Sequence, residues 1–504
     1  MGNKIIIVGS GLGGLTCGLI LAREGHDVTI LEQQARPGGC LQCFSRAGVK
    51  FETGMHFIGS AAPNELLGLV LRYLEVYDNL RLQPLDQDAY EIVVIGDEEF
   101  KFPQGYDALV KSLSERFPDE ASNIAALFRL IKDVANASAM HRLSVDDSDF
   151  VLTTRYQMES INSVIDQYIN DPLLKRVLVG NLPLYAGIKD KTPFSTYAFI
   201  TDFYLKSAYR FADGSEALSN ELIKKFTEYG GRLLTGKQVS HITCDSTHAR
   251  TVETTDGSCY EADYIISTTH PARTIEWLRD TKLLRPAYRQ RISGLPNSLG
   301  AFSLYLKFKP GKVPYLRSNI YEYPAGDPWE CDRYTTLNWP LGYLYMHFSR
   351  DEATDTALTG VVLSYMHYDE VKQWEGTEPM RRGPAYEQFK KEHAERLIDL
   401  IEKRHPGFRD TIQDYYTSTP LTYRDYTGVE GGGMYGIAKD INLGAAGRVT
   451  HATRIPNLFL SGQNINSHGI LGVIVGAVIT CSEFIPIDTI FKQIKAFYEP
   501  KFAQ

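Results

Sequence analysis

The stretch Lys4-Ile5-Ile6-Ile7-Val8-Gly9-Ser10-Gly11-Leu12-Gly13-Gly14-Leu15, followed by Asp27-Val28-Thr29-Ile30-Leu31-Glu32, decides the fold. Its unbroken Ile and Val run suits a parallel strand covered on both faces. Gly9, Gly11 and Gly14 then give G-x-G-x-x-G where the strand stops. In that spacing the first glycine permits a tight turn, the second lets the backbone approach a pyrophosphate, and the third lets helix and strand pack closely. Leu15 to Arg23 reads as the helix whose free N–H groups and dipole face the phosphates. Glu32, ending the second strand, can accept both hydroxyls of a ribose. Strand, glycine turn, helix and acid in this order specify a dinucleotide site.

The residues after Glu32 separate FAD from NAD. Gln33-Gln34-Ala35-Arg36-Pro37-Gly38-Gly39-Cys40 places a second glycine pair just past the acid, where a longer cofactor needs the chain to pass close by. Three more blocks carry a resemblance: Phe51-Glu52-Thr53-Gly54-Met55-His56-Phe57-Ile58-Gly59, Asn457-Leu458-Phe459-Leu460-Ser461-Gly462-Gln463-Asn464, and His468-Gly469-Ile470-Leu471-Gly472-Val473-Ile474-Val475-Gly476-Ala477. With these the chain resembles FAD enzymes of the phytoene desaturase type, most closely their carotenoid isomerase and retinol saturase branch. The resemblance is specific at both ends and looser in the middle. It implies an α/β fold: a discontinuous FAD-binding Rossmann-like domain of the glutathione-reductase type, with a substrate lobe of mixed sheet and helices.

Length and composition agree. A chain of 504 residues, 43% of them hydrophobic, suggests about two domains or a large two-lobed fold. A net charge of −8 without a basic stripe argues against nucleic acid as a partner. Seven cysteines point to a reducing compartment. The first strand begins within a few residues of Met1, so a cytoplasmic protein is expected. Ile6 stands where myristoylation needs Ser or Thr after Met1-Gly2. Gly469 to Ile479 is too short to span a bilayer, so any membrane contact is expected to be peripheral.

Along the chain, cofactor pieces are expected at residues 1–80, 207–285 and 441–504, with the substrate lobe at 81–206 (a helical lid) and 286–440 (a sheet). Glu65 to Tyr77, Tyr106 to Glu115, Glu120 to Met140 and Gln157 to Leu178 read as helical. Tyr90 to Ile95 and Glu99 to Phe102 read as a hairpin around Gly96-Asp97. Arg232 to Ile242 and Ala262 to Thr269 read as strands of the cofactor domain, Leu299 to Phe308, Tyr343 to Phe348 and Thr359 to Met366 as a second sheet. Gly431-Gly432-Gly433-Met434-Tyr435-Gly436 repeats G-x-G-x-x-G, but no apolar strand precedes it and no periodic helix follows. It reads as a flexible glycine loop leaving room beside the flavin.

The resemblance implies that FAD is held by Gly9, Gly11, Gly13, Gly14, Glu32, Gln33, Gln34, Gly38, Gly39, Cys40, Gly54, Met55, Val239, Gly462, Gln463, Asn464, Leu471, Gly472 and Val473. The main chain near Val239 would meet the adenine. Leu458 to Ser461 reads as a strand and Gly472 to Ser482 as a helix whose N-terminal N–H groups face the electron-rich edge of the reduced ring. Related enzymes carry an acid where Asn464 stands; an amide accepts the ribityl hydrogen bond without the charge. His56 is the first candidate for a catalytic proton donor, with a packing role as the plainer reading of both His56 and His468. Cys40-Leu41-Gln42-Cys43 has redox spacing but lies in a cofactor loop, not on a helix facing the flavin. No Cys/His cluster has zinc spacing, so no metal is expected.

The expected activity is FAD-dependent redox chemistry on C=C bonds of a long hydrophobic polyene, a carotenoid or retinoid-like isoprenoid, most of all saturation. Desaturation and cis-trans isomerisation are the alternatives within the family; a prenyl-lipid carrier is the alternative outside enzymology. An amine oxidase is disfavoured because the sequence displays no aromatic cage. The expected partners are a hydrophobic small molecule and a separate electron donor or acceptor.

Overall fold

The computed structural model describes residues 2–144, 150–349 and 355–499; Met1 and the last five residues of the 441–504 segment lie outside them. Five parallel strands form the cofactor sheet, in the spatial order Arg232–Leu234, Asp27–Leu31, Lys4–Val8, Tyr264–Ser267 and Leu458–Leu460. Ile5, Ile7, Val28 and Ile30 are wholly buried because helices cover one face and the loops and three-stranded meander of residues 239–261 the other. Each such side chain contributes about 1.5–3 kcal/mol by leaving water.

The helix after the first glycine turn runs Leu12–Arg23, one turn earlier than its periodicity predicts, because Gly11 is its extended N-cap. Gly13 and Gly14 therefore lie inside its first turn. The C-terminal helix runs Gly469–Cys481, three residues earlier than expected, with His468 as N-cap. It packs along Leu12–Arg23 without polar faces on either side. Cys17 lies 3.6 Å from Ser461 Oγ and 3.7 Å from the Ala477 carbonyl, so the two ends of the chain meet at one helix pair.

The second sheet has seven strands in the order Ile412–Ser418, Gly300–Phe308, Thr359–Met366, Tyr343–Phe348, Asn319–Tyr323, Glu91–Ile95 and Glu98–Phe102. All pairs are antiparallel except Asn319–Tyr323 with Glu91–Ile95. The hairpin at Gly96 thus serves as the edge of this sheet. Alternation divides its two faces. Phe302, Leu304 and Leu306 pack with Leu397 and Ile401 of the helix Pro384–Arg404, whereas Tyr305, Tyr321, Tyr323 and Tyr365 face the helical insertion.

That insertion is more broken than its sequence pattern. Glu120 to Met140 divides into Ala121–Asn136 and Ala139–Arg142, and Gln157 to Leu178 into Ile161–Tyr168 and Pro172–Leu178. The last two have their own caps: Ser160 accepts from the Ser163 N–H, and Asp171 from those of Leu173 and Leu174. Ser and Asp offer that alternative to continued helix. Among the described residues no helix is long and apolar enough to cross a membrane.

Candidate functional site

The sequence blocks expected at the cofactor converge at the ends of the parallel strands. A Cβ added at Gly39 would lie 2.9 Å from Gly11 Cα, one at Gly54 would lie 3.1 Å from Cys40 Cβ, and one at Gly13 would lie 3.1 Å from Gly462 Cα and 3.4 Å from Val473. The Gly38 N–H donates to the Ser10 carbonyl at 3.1 Å, tying the second glycine pair to the first turn. Gly9, with φ of +100°, makes that turn in a conformation other residues avoid. At Gly11 the situation reverses: φ is −64° and an added Cβ would meet nothing within 4 Å. The absent side chain at Gly11 leaves open space at a helix N-terminus, which is the shape a pyrophosphate requires.

Glu32 is buried and tightly held. Its carboxylate accepts from the Ser10 N–H at 2.9 Å, the Ser10 hydroxyl at 2.6 Å and the Gln34 N–H at 2.8 Å. Ser10, which the sequence reading passed over, thereby orients the acid; the signal was its place inside Gly9-Ser10-Gly11. The Arg232–Leu234 strand continues past Glu32, with the Lys237 N–H donating to the Glu32 carbonyl at 2.8 Å. Val239 follows directly, buried at the start of the meander.

Asn464 differs from expectation. Its Oδ1 accepts the Ile437 N–H at 2.9 Å, and a Cβ at Gly436 would overlap it. The amide thus anchors the 431–436 loop, leaving Nδ2 and a second lone pair for other partners. The same contacts correct the reading of that loop as flexible and roomy. Added Cβ atoms at Gly432, Gly433 and Gly436 would strike Pro420, Ser298 and Asn464. The space those glycines leave is filled by the protein itself.

Beyond the glycines lies a group of half-exposed tyrosines with one exposed thiol. Cys40 is exposed, yet desolvation raises its thiol pKa, the combination expected for a wall of a concave site. Tyr204, Tyr423 and Tyr435 are likewise half-exposed with pKa values raised by desolvation, and their fields reach one another. Tyr435 packs on His468 with ring centroids 4.3 Å apart. This aromatic lining was not legible in the sequence, because its tyrosines come from three distant segments. The two cysteines of Cys40-x-x-Cys43 do not act together. Cys43 is buried against Glu52 at 3.3 Å, and burial pushes its thiol up to about 12.

His56 lies half-buried between these blocks with Nδ1 unpartnered. Burial first, then the charge of Arg210, pushes its pKa down to about 3. At neutral pH the ring is uncharged, so the expectation of an imidazolium proton donor meets an opposing field. Arg210 is the source: it is buried, donates to the Ser318 carbonyl and Asn319 Oδ1 at 3.0 and 2.7 Å, and packs on Phe348. No carboxylate pairs with it among the described residues.

A sequence profile described as flavin-containing amine oxidoreductase matches residues 12–480. The chain belongs to this family. It is an FAD-dependent oxidoreductase, and the glycine cradle, Glu32 and the open N-terminus at Gly11 fit that cofactor. All-trans-retinol 13,14-reductase of Rattus norvegicus is 26% identical over 97% of this chain and 87% of its own length, and the Homo sapiens protein of that name is 25% identical over the same shares. Prolycopene isomerase of Arabidopsis thaliana is 21% identical over 96% of this chain and 82% of its own. Among solved structures, an oxidoreductase from Methanosarcina mazei superposes with a TM-score of 0.65 at 15% identity, covering 95% of this chain and all of that one. Cyclohexylamine oxidase from Brevibacterium oxydans gives 0.61 at 14% identity over 99% of both chains. These two show the shared fold.

Proposed function

We propose that this FAD enzyme saturates a C=C bond of a long apolar polyene of the retinoid or carotenoid class. The observation that carries this reading is the 25–26% identity to retinol reductases along 97% of the chain, against 21% to the plant isomerase. Bound FAD supplies a hydride equivalent. The chain's own residues do the rest: the glycine turns and Glu32 bind the nucleotide, the C-terminal helix at Leu471, Gly472 and Val473 presents N–H groups to the ring, and the segment at Val239 backs the adenine. In this reading Tyr204, Tyr423, Tyr435 and Met434 are the apolar walls that receive the polyene and exclude water.

His56 in this reading is a neutral hydrogen-bonding group beside the reacting carbons, with solvent as the source of the proton. Electrons come from a separate donor, because the second glycine motif is packed shut. A polyene is drawn from lipid, so we place the protein in the cytoplasm with peripheral, reversible membrane contact; flotation with liposomes tests this, and protein that stays wholly soluble across lipid compositions refutes it.

The decisive experiment is anaerobic photoreduction of the flavin-loaded protein followed by mixing with all-trans-retinol. Saturation requires reoxidised flavin together with a shift of the polyene absorbance to shorter wavelength. An isomerised product with the flavin still reduced assigns the isomerase reaction, which the prolycopene isomerase relatives make the second reading. No reaction and no change in either spectrum, with retinoid bound, assigns a carrier.

A further inference from the structure

Lys439 stands in the segment Met434–Ile441, which four hydrogen bonds fix in place. The Met434 N–H donates to the Leu299 carbonyl at 3.0 Å, Ile437 to Asn464 Oδ1 at 2.9 Å, Ala438 to the Pro296 carbonyl at 2.9 Å and Ile441 to the Lys191 carbonyl at 2.9 Å. On this pinned segment the Lys439 side chain is only half-exposed, and its amine has no hydrogen bond or ion pair with any described residue. Desolvation alone lowers its pKa, to about 8, so it remains charged at neutral pH.

The pinned segment sets that charge near the Gly469–Cys481 helix, because Tyr435 on the same segment packs on the ring of His468 with centroids 4.3 Å apart. His468 feels the Lys439 field and is itself held neutral, with its pKa pushed down to about 3. His468 also caps the helix Gly469–Cys481, whose N-terminus adds partial positive charge. Asp440, the neighbouring carboxylate, accepts from the Asn442 N–H and its side-chain amide at 2.9 Å each, capping its own turn. A lysine desolvated beside a helix N-terminus with no anion is costly unless a ligand brings the anion. The diphosphate is assigned elsewhere, at Gly11. Two-electron reduction of a flavin with uptake of one proton leaves one negative charge on its ring.

We propose that the Lys439 ammonium is a built-in counter-charge for the reduced flavin ring, binding the reduced cofactor more tightly than the oxidised one. The proposal rests on the FAD assignment and on the ring lying at the N-terminus of the Gly469–Cys481 helix. Charge placed near the ring is a lever by which a protein sets flavin reactivity. A lysine that favours the reduced form makes the cofactor easier to charge from an external donor.

Potentiometric titration of the flavin-loaded protein tests this. In Lys439→Met the preference for reduced over oxidised FAD falls at least tenfold, which for a two-electron couple is a midpoint potential about 30 mV more negative. Lys439→Arg keeps the wild-type potential, and Lys439→Gln, polar but neutral, follows Lys439→Met. An unchanged potential in both neutral variants overturns the proposal, as does a Lys439→Arg potential as low as that of Lys439→Met. FAD lost from both neutral variants but retained by Lys439→Arg also overturns it, because the charge would then serve the oxidised cofactor or its diphosphate. A wild-type protein that takes up no flavin breaks the cofactor assignment instead, and shows no flavin spectrum to titrate.

Discussion

Two loops in this chain share the spacing G-x-G-x-x-G and use it in opposite ways. At Gly9–Gly14 the middle glycine leaves open space at a helix N-terminus, while Gly14 lets the helix sit on the Gly9 carbonyl. At Gly431–Gly436 the open position is Gly431, and Gly432 and Gly436 are filled by Pro420 and Asn464. The first loop makes room for a ligand and the second for the protein's own packing. Spacing alone is therefore uninformative; the strand that leads in and the helix that leads out give a glycine motif its meaning.

The largest effect that would sharpen this contrast is in the second loop. Gly436→Ala places a Cβ on Asn464 at a φ of +68°, and should destabilise the apoprotein by about 3 kcal/mol or more, read from denaturant midpoints. Gly431→Ala, with a similar φ but open space, should cost only about 1 kcal/mol. Equal losses would mean that backbone strain, and not filling, governs the loop. Next comes Gly11→Ala. Its stability should stay within about 1 kcal/mol of wild type, since φ is ordinary and the space is empty. FAD affinity should drop about a hundredfold, roughly 2.8 kcal/mol, by fluorescence titration; unchanged affinity would remove the ligand role from the first loop.

Glu32→Gln should have a smaller effect, about 1–2 kcal/mol, divided between stability and FAD affinity. Glu32 accepts three bonds from its own turn, so the acid supports the fold as well as a ribose. An affinity loss without any stability loss would contradict that double duty. The effect that is absent at neutral pH concerns protons. His56, His347 and His468 are each pushed down to about 3 by burial, so between about pH 6.5 and 3 the unfolded chain binds protons that the native state excludes. The cost of keeping these three rings neutral is therefore absent above pH 6.5 and grows as the pH drops. His347→Gln should reduce that slope by about one proton, 1.4 kcal/mol per pH unit. An unchanged slope would show that His347 titrates normally.

The cofactor half was legible because main-chain geometry imposes residue type. A turn at positive φ, a helix lying on a carbonyl and two backbones in contact admit only glycine, so Gly9, Gly14 and Gly39 mark their own roles. The hydrophobic alternation that divides Phe302, Leu304 and Leu306 from Tyr305 was readable for the same reason: a strand's period is fixed by the backbone. Helix ends were less legible. Capping by Gly11 and His468 extended two helices beyond their periodic residues, and Ser160 and Asp171 divided another stretch in two.

By itself the sequence determined a parallel α/β cofactor sheet, the glycine turns at Gly9 and Gly38 with Glu32 between them in the chain, and a second sheet of alternating strands. Only the tertiary structure decided that Ser10 holds Glu32, that Asn464 Oδ1 anchors a neighbouring loop, that burial together with the charge of Arg210 keeps His56 neutral, and that Lys439 has no ion-pair partner among the described residues. The physical reason is range. Backbone conformation and periodicity are local and leave their mark within a few residues, whereas a pKa, a counter-charge or a site wall is the sum of groups brought together from separate segments, 22 residues apart for Ser10 and Glu32 and 109 for Arg210 and Asn319.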